Sequence, residues 1–438
     1  MAVNTLEFTH NRQTLLSNMV MDSVAIIPAA SLKVRNRDAD FPFRQHSDFF
    51  YLSGFREDNA VLVLRKTAQK SESLLFCQSK DKDMEIWTGF RLGPDAALDA
   101  LQLQGAFPIQ ELAQKLPGLL ADIQCVYALW GSDREWDQKF IHAIEQIKLK
   151  VRTGITAPTS MLALEPLLHE QRLIKSSAEI ALMTQAAQIS AEAHIKAMKM
   201  VVPGMYEYML EGEIRHHCAM QGSRFDAYSS IVGSGENACI LHYTDNDAQI
   251  DDGDLILIDA GCEVNHYASD ITRTFPANGT FSPAQKALYQ VVLDAQLAAI
   301  AQIKAGNHFN APHEAALQVI TQGLVDLGLL VGEVNELIEQ EAYKPFYMHK
   351  TGHWLGLDVH DVGAYKVEGE WRTLQAGMVL TAEPGLYVAA DEASVDQKWR
   401  GIGIRIEDDV LVTATGCEVL SKDVPKSIDA IEALMARH

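Results

Sequence analysis

The chain lacks several features that would place it quickly. No apolar run approaches the roughly 20 residues that a membrane-spanning helix needs. The start, Met1-Ala-Val-Asn-Thr-Leu-Glu7, has no basic segment leading into an apolar one, so neither membrane insertion nor export is expected. Six cysteines are scattered over 438 residues without a CxxC pair, which excludes a disulfide framework and a zinc knuckle and suits reduced thiols in the cytoplasm. Cys262 reads as a small buried residue. Basic residues are in deficit, 37 Lys and Arg against 58 Asp and Glu; a net charge of -21 argues against nucleic acid or an anionic membrane as the main partner. No short repeat and no low-complexity tract is visible. The glycine-rich stretch Ile231-Val-Gly-Ser-Gly-Glu-Asn-Ala-Cys-Ile-Leu-His-Tyr243 lacks Gly-Lys-Ser/Thr, which argues against a phosphate loop.

What remains is a chain long enough for two or three domains, with 47% hydrophobic residues, as in a soluble globular enzyme. The first part alternates candidate strands (23–29, 59–65, 73–77, 125–130) with helical patterns near 94–103, 110–121 and 134–148, and so reads as α/β. The segment 37–55, dense in aromatic and charged residues, reads as a surface loop entering a strand, or as an edge that meets an active site or another subunit. A boundary near 170–177 divides the chain into 1–173 and 174–438. Beyond it, Ser176 and Glu179 have capping-box spacing ahead of a helix, stopped by Pro203-Gly204. Helices over 205–220, after Ser282-Pro283 and over 312–327 follow, mixed with hairpins, so the second part is α+β.

Within that second part, Leu255-Ile-Leu-Ile258 is apolar on both faces and ends at Asp259, while 269–275 alternates, with Asp270, Thr272 and Thr274 on one face. If the two runs pair antiparallel, Asp259 and Asp270 face one cavity, where two anions require a proton or a cation between them. Other stretches supply further polar groups. Phe346 to Asp361 holds His349, His353 and His360 in an apolar, glycine-containing context. Glu383 follows an apolar strand and precedes Pro-Gly. Arg405 and Glu407 share a face of an otherwise apolar strand flanked by glycines that allow close approach. His242 ends an apolar stretch. Asp259, Asp270, His353, Glu383 and Glu407 are too acidic a set for one divalent ion, but two ions balance four carboxylates. Oxygen-rich ligation favours manganese or magnesium, with cobalt, iron or zinc remaining open. A carboxylate-bridged ion pair can hold a hydroxide and polarise a carbonyl, which points to hydrolysis.

In this order Asp259, Ser-Asp270-Ile-Thr-Arg-Thr-Phe275, the His353 cluster, Glu383-Pro-Gly and Arg405-Ile-Glu407 resemble the ligand pattern of the pita-bread metallopeptidases. Phe43-Arg-Gln-His-Ser-Asp-Phe-Phe-Tyr51, Trp354 to Asp361 and Arg400 to Asp409 resemble, within that family, the Xaa-Pro aminopeptidase (aminopeptidase P) group. The resemblance covers essentially the whole chain. It implies a C-terminal pita-bread domain preceded by a smaller α/β domain, and two divalent ions, with manganese the usual activator. By the same resemblance Asp259 chelates one ion, Asp270 and Glu407 bridge both, and His353 and Glu383 complete the second site. A bridging hydroxide would attack the carbonyl before proline, Glu383 would move the proton, His242 and His360 would orient substrate and stabilise the oxyanion, and His349 and Arg405 would line the proline side. Substrates would be peptides with proline in the second position, and the oligomer a homotetramer with the N-terminal domain at its contacts. Lys350 departs from the pattern, which has a small glycine there. Prolidase, methionine aminopeptidase, a metal phosphohydrolase and a catalytically silent pita-bread module are the rival readings.

Overall fold

A computed structural model describes residues 5–436, and the chain divides after Arg172 into two compact units. In the first, six strands form a mixed sheet in the order Gly105–Pro108, Ser71–Cys77, Val61–Lys66, Ser23–Pro28, Cys125–Ala128, Ser160–Ala163. The middle pairings, 23–28 with 61–66 and 61–66 with 71–77, are antiparallel; the outer ones are parallel. The central strands are buried on both faces, which is why they read as unbroken runs of Val, Ile and Leu. Amphipathic helices Leu112–Leu120 and Arg134–Lys148 bury Leu116, Leu120, Phe140 and Ile147 against one face. The edge strand Ser160–Ala163 is wholly exposed.

The segment 37–55 departs from expectation. It forms a short hairpin, Val34–Asn36 with Ala39–Asp40, and then a fully buried helix, Ser47–Ser53, rather than a strand. Tertiary contacts decide this. Asp48 accepts from Arg172, and His169 lies 3.3 Å from it. Gly54 ends the helix at φ 64°, and a Cβ there would collide with the Phe8 ring.

The second unit is built of four long helices, Ser177–Met200, Glu207–Met220, Pro283–Gln302 and Ala311–Asp326, around small antiparallel sheets. Ser176 and Glu179 form the expected capping box, with Glu179 Oε2 accepting from the Ser176 N–H at 2.8 Å. The other Glu179 oxygen accepts from Tyr267, which ties the helix to the hairpin Glu263–Ala268. Further along this helix, Ser190 contacts Ser269 and the Cys262 N–H, and His194 bonds the Ala260 carbonyl. One helix thus clamps the loop between Asp259 and Asp270. Gly261 is required within that loop, because a Cβ would overlap the Ser269 carbonyl.

Strands Ile231–Ser234, Leu255–Asp259 and Thr272–Pro276 make a three-stranded sheet, with Asp259 opposite Thr272 in the antiparallel pair. The glycine-rich stretch after it wraps a buried carboxylate. Glu207 accepts from the Ser234 N–H and hydroxyl, Asn237, Tyr243 and the Ala248 N–H, so its donors are used internally. Arg405 and Glu407 do not share one strand as expected. Ile402–Arg405 pairs with Gly385–Val388, Asp408–Val412 pairs with Val379–Ala382, and the chain switches sheets at Ile406-Glu407. Gly403 provides the expected close approach, since a Cβ there would strike the Ala238 carbonyl.

Behind the switch sits a buried ionic cluster. Asp408 accepts from Arg273 at 2.7 Å, Lys426 at 2.6 Å, Ser421 at 2.7 Å and Gln296 at 2.8 Å. Burial alone would raise the Asp408 pKa, but Arg273 and Lys426 outweigh it and hold it at about 2. A depressed carboxylate contributes stability above its ordinary value of 3.8, and that contribution is lost as pH falls toward about 2. Asp408→Ala strands the Arg273 charge and is expected to cost ~3–5 kcal/mol in urea denaturation at neutral pH. The gap from wild type should shrink as pH is lowered through this window. A gap of under ~1 kcal/mol at neutral pH would show the cluster to be dispensable.

Candidate active site

Every residue singled out from the sequence reaches one cavity of about 470 Å3: Asp259, Asp270, His353, Glu383 and Glu407, together with His242, His349, His360 and Arg405. The fold brings them there from separate pieces of backbone. Asp259 ends its strand, and Asp270 begins the return toward the partner strand. The Thr272 hydroxyl donates to Glu407 at 2.6 Å, and the Glu407 N–H to the Thr272 carbonyl at 3.1 Å, which fixes the sheet switch against this pair. The 351–355 segment runs beside 379–383: the Glu383 N–H donates to the Thr351 carbonyl, and the His353 N–H to Thr381 Oγ1. His353 therefore faces Glu383. His360 is held against it, ring centroids 4.3 Å apart, and the next residue, Asp361, is anchored by a buried ion pair with Lys175 at 3.0 Å.

Single donor atoms of Asp270, His353 and Glu407 lie within 4.8 Å of one another. His353 Nδ1 is 2.9 Å from the Trp354 carbonyl, so it carries the proton there and Nε2 faces the carboxylates, 3.3 Å from Asp270 and 3.6 Å from Glu383. Asp259 has a different pairing. One oxygen accepts from Arg405 at 2.7 Å and the other from Tyr228 at 2.6 Å. The same Tyr228 hydroxyl is 2.5 Å from Asp270. It has one proton for two carboxylates, so one of those short contacts needs a further proton or a cation.

The electrostatics point the same way. Burial and then the charge of Asp270 push Glu407 well above the carboxylate range, while burial raises Glu383 to about 7 against the pull of His353. Burial also raises Asp259, which Arg405 opposes. Only Asp270 is held low: burial is outweighed by the hydrogen bond and charge of His353, with Tyr228 adding to them. His353 rises to about 9 because Asp270 and Glu383 overcome the burial that would lower it. Without another cation, then, the site takes up protons to relieve its own repulsion. Four acidic oxygen donors and one imidazole fit an oxygen-preferring divalent ion.

On the far side of Arg405 the donors are neutral. His349 sits 2.9 Å from the Tyr387 hydroxyl and 2.8 Å from the Lys350 carbonyl. Burial and then the Arg405 charge push it down to about 3, so it stays uncharged. Tyr387 also meets Arg405 at 3.0 Å.

Sequence reasoning missed Tyr228, which lies on a loop with no periodic pattern. It also left Thr381 and Tyr387 unassigned. Thr272 had already been placed on the face of Asp270, which was signal enough. Asp409 was missed too; it accepts from the Asp270 N–H at 3.1 and 3.2 Å.

If cation binding replaces these protons, it should release them. At pH 6 Glu407, Glu383 and His353 all yield protons; the Glu383 contribution drops out above about 7 and that of His353 above about 9, and affinity weakens as pH falls. Calorimetric Mn2+ titration in buffers of different ionisation enthalpy measures this. Heats independent of the buffer at pH 6 would contradict it.

Comparison with known proteins agrees with this geometry. Residues 181–414 match the model of metallopeptidase family M24, and residues 8–127 match the aminopeptidase P N-terminal domain. The chain is 46% identical over 434 residues to an Xaa-Pro aminopeptidase of Escherichia coli, covering 99% of this chain and 98% of that one. It is 45% identical over 434 residues to an Xaa-Pro aminopeptidase of Haemophilus influenzae, covering 98% and 97%. A Pseudomonas aeruginosa aminopeptidase structure superposes with a TM-score of 0.98 at 52% identity, covering 99% of both chains. Escherichia coli aminopeptidase P, solved with the inhibitor Pro-Leu, superposes at 0.97 and 46% identity, again covering 99% of both. The second unit thus has the pita-bread fold, the first is the aminopeptidase P N-terminal domain, and the chain belongs to metallopeptidase family M24 as an Xaa-Pro aminopeptidase.

Proposed function

We propose that this hydrolase uses two divalent ions, held by Asp259, Asp270, His353, Glu383 and Glu407, with Asp270 and Glu407 shared between them. The observation that carries the reading is the convergence of Asp270, His353 and Glu407 donor atoms within 4.8 Å, in a cavity that Asp259 and Glu383 also line. When bound, such a pair supplies a nucleophile ionised at neutral pH and a Lewis acid for the scissile carbonyl. Manganese is the proposed ion, in keeping with the oxygen-rich donor set.

The chain's own groups do the rest. Carboxylates around Asp259 attract the free amine of the substrate. Glu383, with a pKa near 7 before cation binding and its oxygen near His353, carries the proton to the leaving nitrogen. His242 and His360 orient the substrate and donate to the oxyanion. The neutral His349 and Arg405, its charge paired with Asp259, line the wall for the proline ring, with Tyr387 buried behind them. Recognition by shape is required there, because the proline nitrogen, itself a ring atom, carries no hydrogen to donate. The rival activities fit less well. A phosphohydrolase needs several cations for phosphate, and the cavity offers Lys350 alone, Arg405 being already committed to Asp259 and Tyr387.

A cytoplasmic homotetramer completes the proposal. All six cysteines are unpaired, as a reducing compartment requires, and among the described residues no helix is long and apolar enough to cross a membrane. The tetramer rests on family resemblance alone and is open to light scattering.

Incubation with Xaa-Pro-Yaa, Xaa-Pro and Met-Ala-Yaa peptides, read by mass spectrometry, should show release of Xaa from the first. Exclusive cleavage of the dipeptide would instead identify a prolidase. Asp270→Asn is expected to lower kcat/KM by at least about a hundredfold and to reduce bound metal. Unchanged turnover would remove Asp270 from the site.

A further inference from the structure

The catalytic cavity has a neighbour of about 310 Å3, walled by Phe309, Pro312, Tyr365, Trp371 and Leu380. Lys350 and Gly352 line both cavities, so the two adjoin. The Lys350 side chain is exposed, and among the described residues no carboxylate lies within ion-pair distance of it. Arg405, the other cation of the catalytic cavity, is engaged by Asp259, Tyr387 and Thr272. In the second cavity His313 bonds Thr351 at 2.8 Å; burial and then the Lys350 charge hold it neutral, with a pKa near 4. Lys350 is therefore the one uncommitted positive charge on either wall, set between an acidic centre and an aromatic recess.

This arrangement gives a bound peptide a direction. Its amine is drawn to the carboxylates and repelled by Lys350, so the carboxyl-terminal part runs toward Lys350. We propose that Lys350 and the aromatic cavity form the subsite for the substrate beyond proline, taking an apolar third side chain against Phe309, Tyr365 and Trp371 and a carboxylate on the Lys350 ammonium. The proposal rests on the peptidase reading above. The carboxylate can come from the α-carboxyl end of a tripeptide or from an acidic side chain further along.

The test compares kcat/KM for Ala-Pro-Phe, Ala-Pro-Phe-amide and Ala-Pro-Phe-Glu-amide between wild type and Lys350→Gln. The variant should lose about threefold to fivefold more on a carboxylate-bearing peptide than on Ala-Pro-Phe-amide, the size of an exposed ion pair. Loss on Ala-Pro-Phe identifies the α-carboxylate as the partner; loss on the Glu peptide identifies the side chain. Lys350→Arg should retain the preference, and 1 M salt should erase it. Trp371→Ala should reduce the preference for Ala-Pro-Phe-amide over Ala-Pro-Gly-amide. Equal effects of Lys350→Gln on all three peptides would overturn the charge assignment, and an unchanged Phe/Gly ratio in Trp371→Ala would overturn the cavity assignment. In either case continued cleavage of any of the three peptides by wild type leaves the peptidase reading standing; if wild type cleaves none of them, both fall.

Discussion

Repulsion between carboxylates withdrawn from water is the constraint on which the second unit depends. Asp259, Asp270, Glu383 and Glu407 share one cavity, and the positive groups in direct contact with them are Arg405 and His353. At close range and low effective dielectric, such repulsion is worth several kcal/mol per pair. A fold does not keep this arrangement by packing alone. The carboxylates must be positioned rigidly, so that they cannot swing apart, and they must be offered a counterion.

The rigidity comes from paired backbones and short side chains. Thr272 and Thr274 bond the 405–407 segment, while the 351–355 segment is stitched to the strand leading to Glu383. Asp409 holds the Asp270 backbone, and Asp408, beside it, is neutralised by Arg273 and Lys426. Adjacent carboxylates thus have opposite fates. Asp408 is fully compensated by protein cations, whereas Glu407 is left to a cation from outside. That contrast marks a binding site rather than a structural ion pair.

Much of this was legible in the sequence because Asp259, Glu383 and Glu407 end or interrupt apolar runs, a conflict visible without coordinates. Asp259 and Glu383 are plain cases, and the antiparallel pairing that the sequence left as a condition is present between 255–259 and 272–276. The helix caps were legible for the same local reason, as at Ser176 and Ser282. What stayed hidden depends on distant contacts. The helix Ser47–Ser53 is fixed by Arg172 and His169 across more than a hundred residues, and Tyr228 gains its place only when two strand ends converge. The switch at Ile406-Glu407 was read as a continuous strand because apolar residues continue on both sides of it; only the pairing partners divide it.

The central claim is that cations from solution complete this carboxylate cluster and thereby make it a catalyst. Titrating metal-stripped protein with Mn2+ while counting bound ions, following the melting temperature and assaying cleavage of an Xaa-Pro-Yaa peptide tests it most directly. Two ions per chain should bind, with melting temperature and cleavage rising together. Full cleavage by protein shown to hold no ion, or saturation with no gain in either property, would contradict the account.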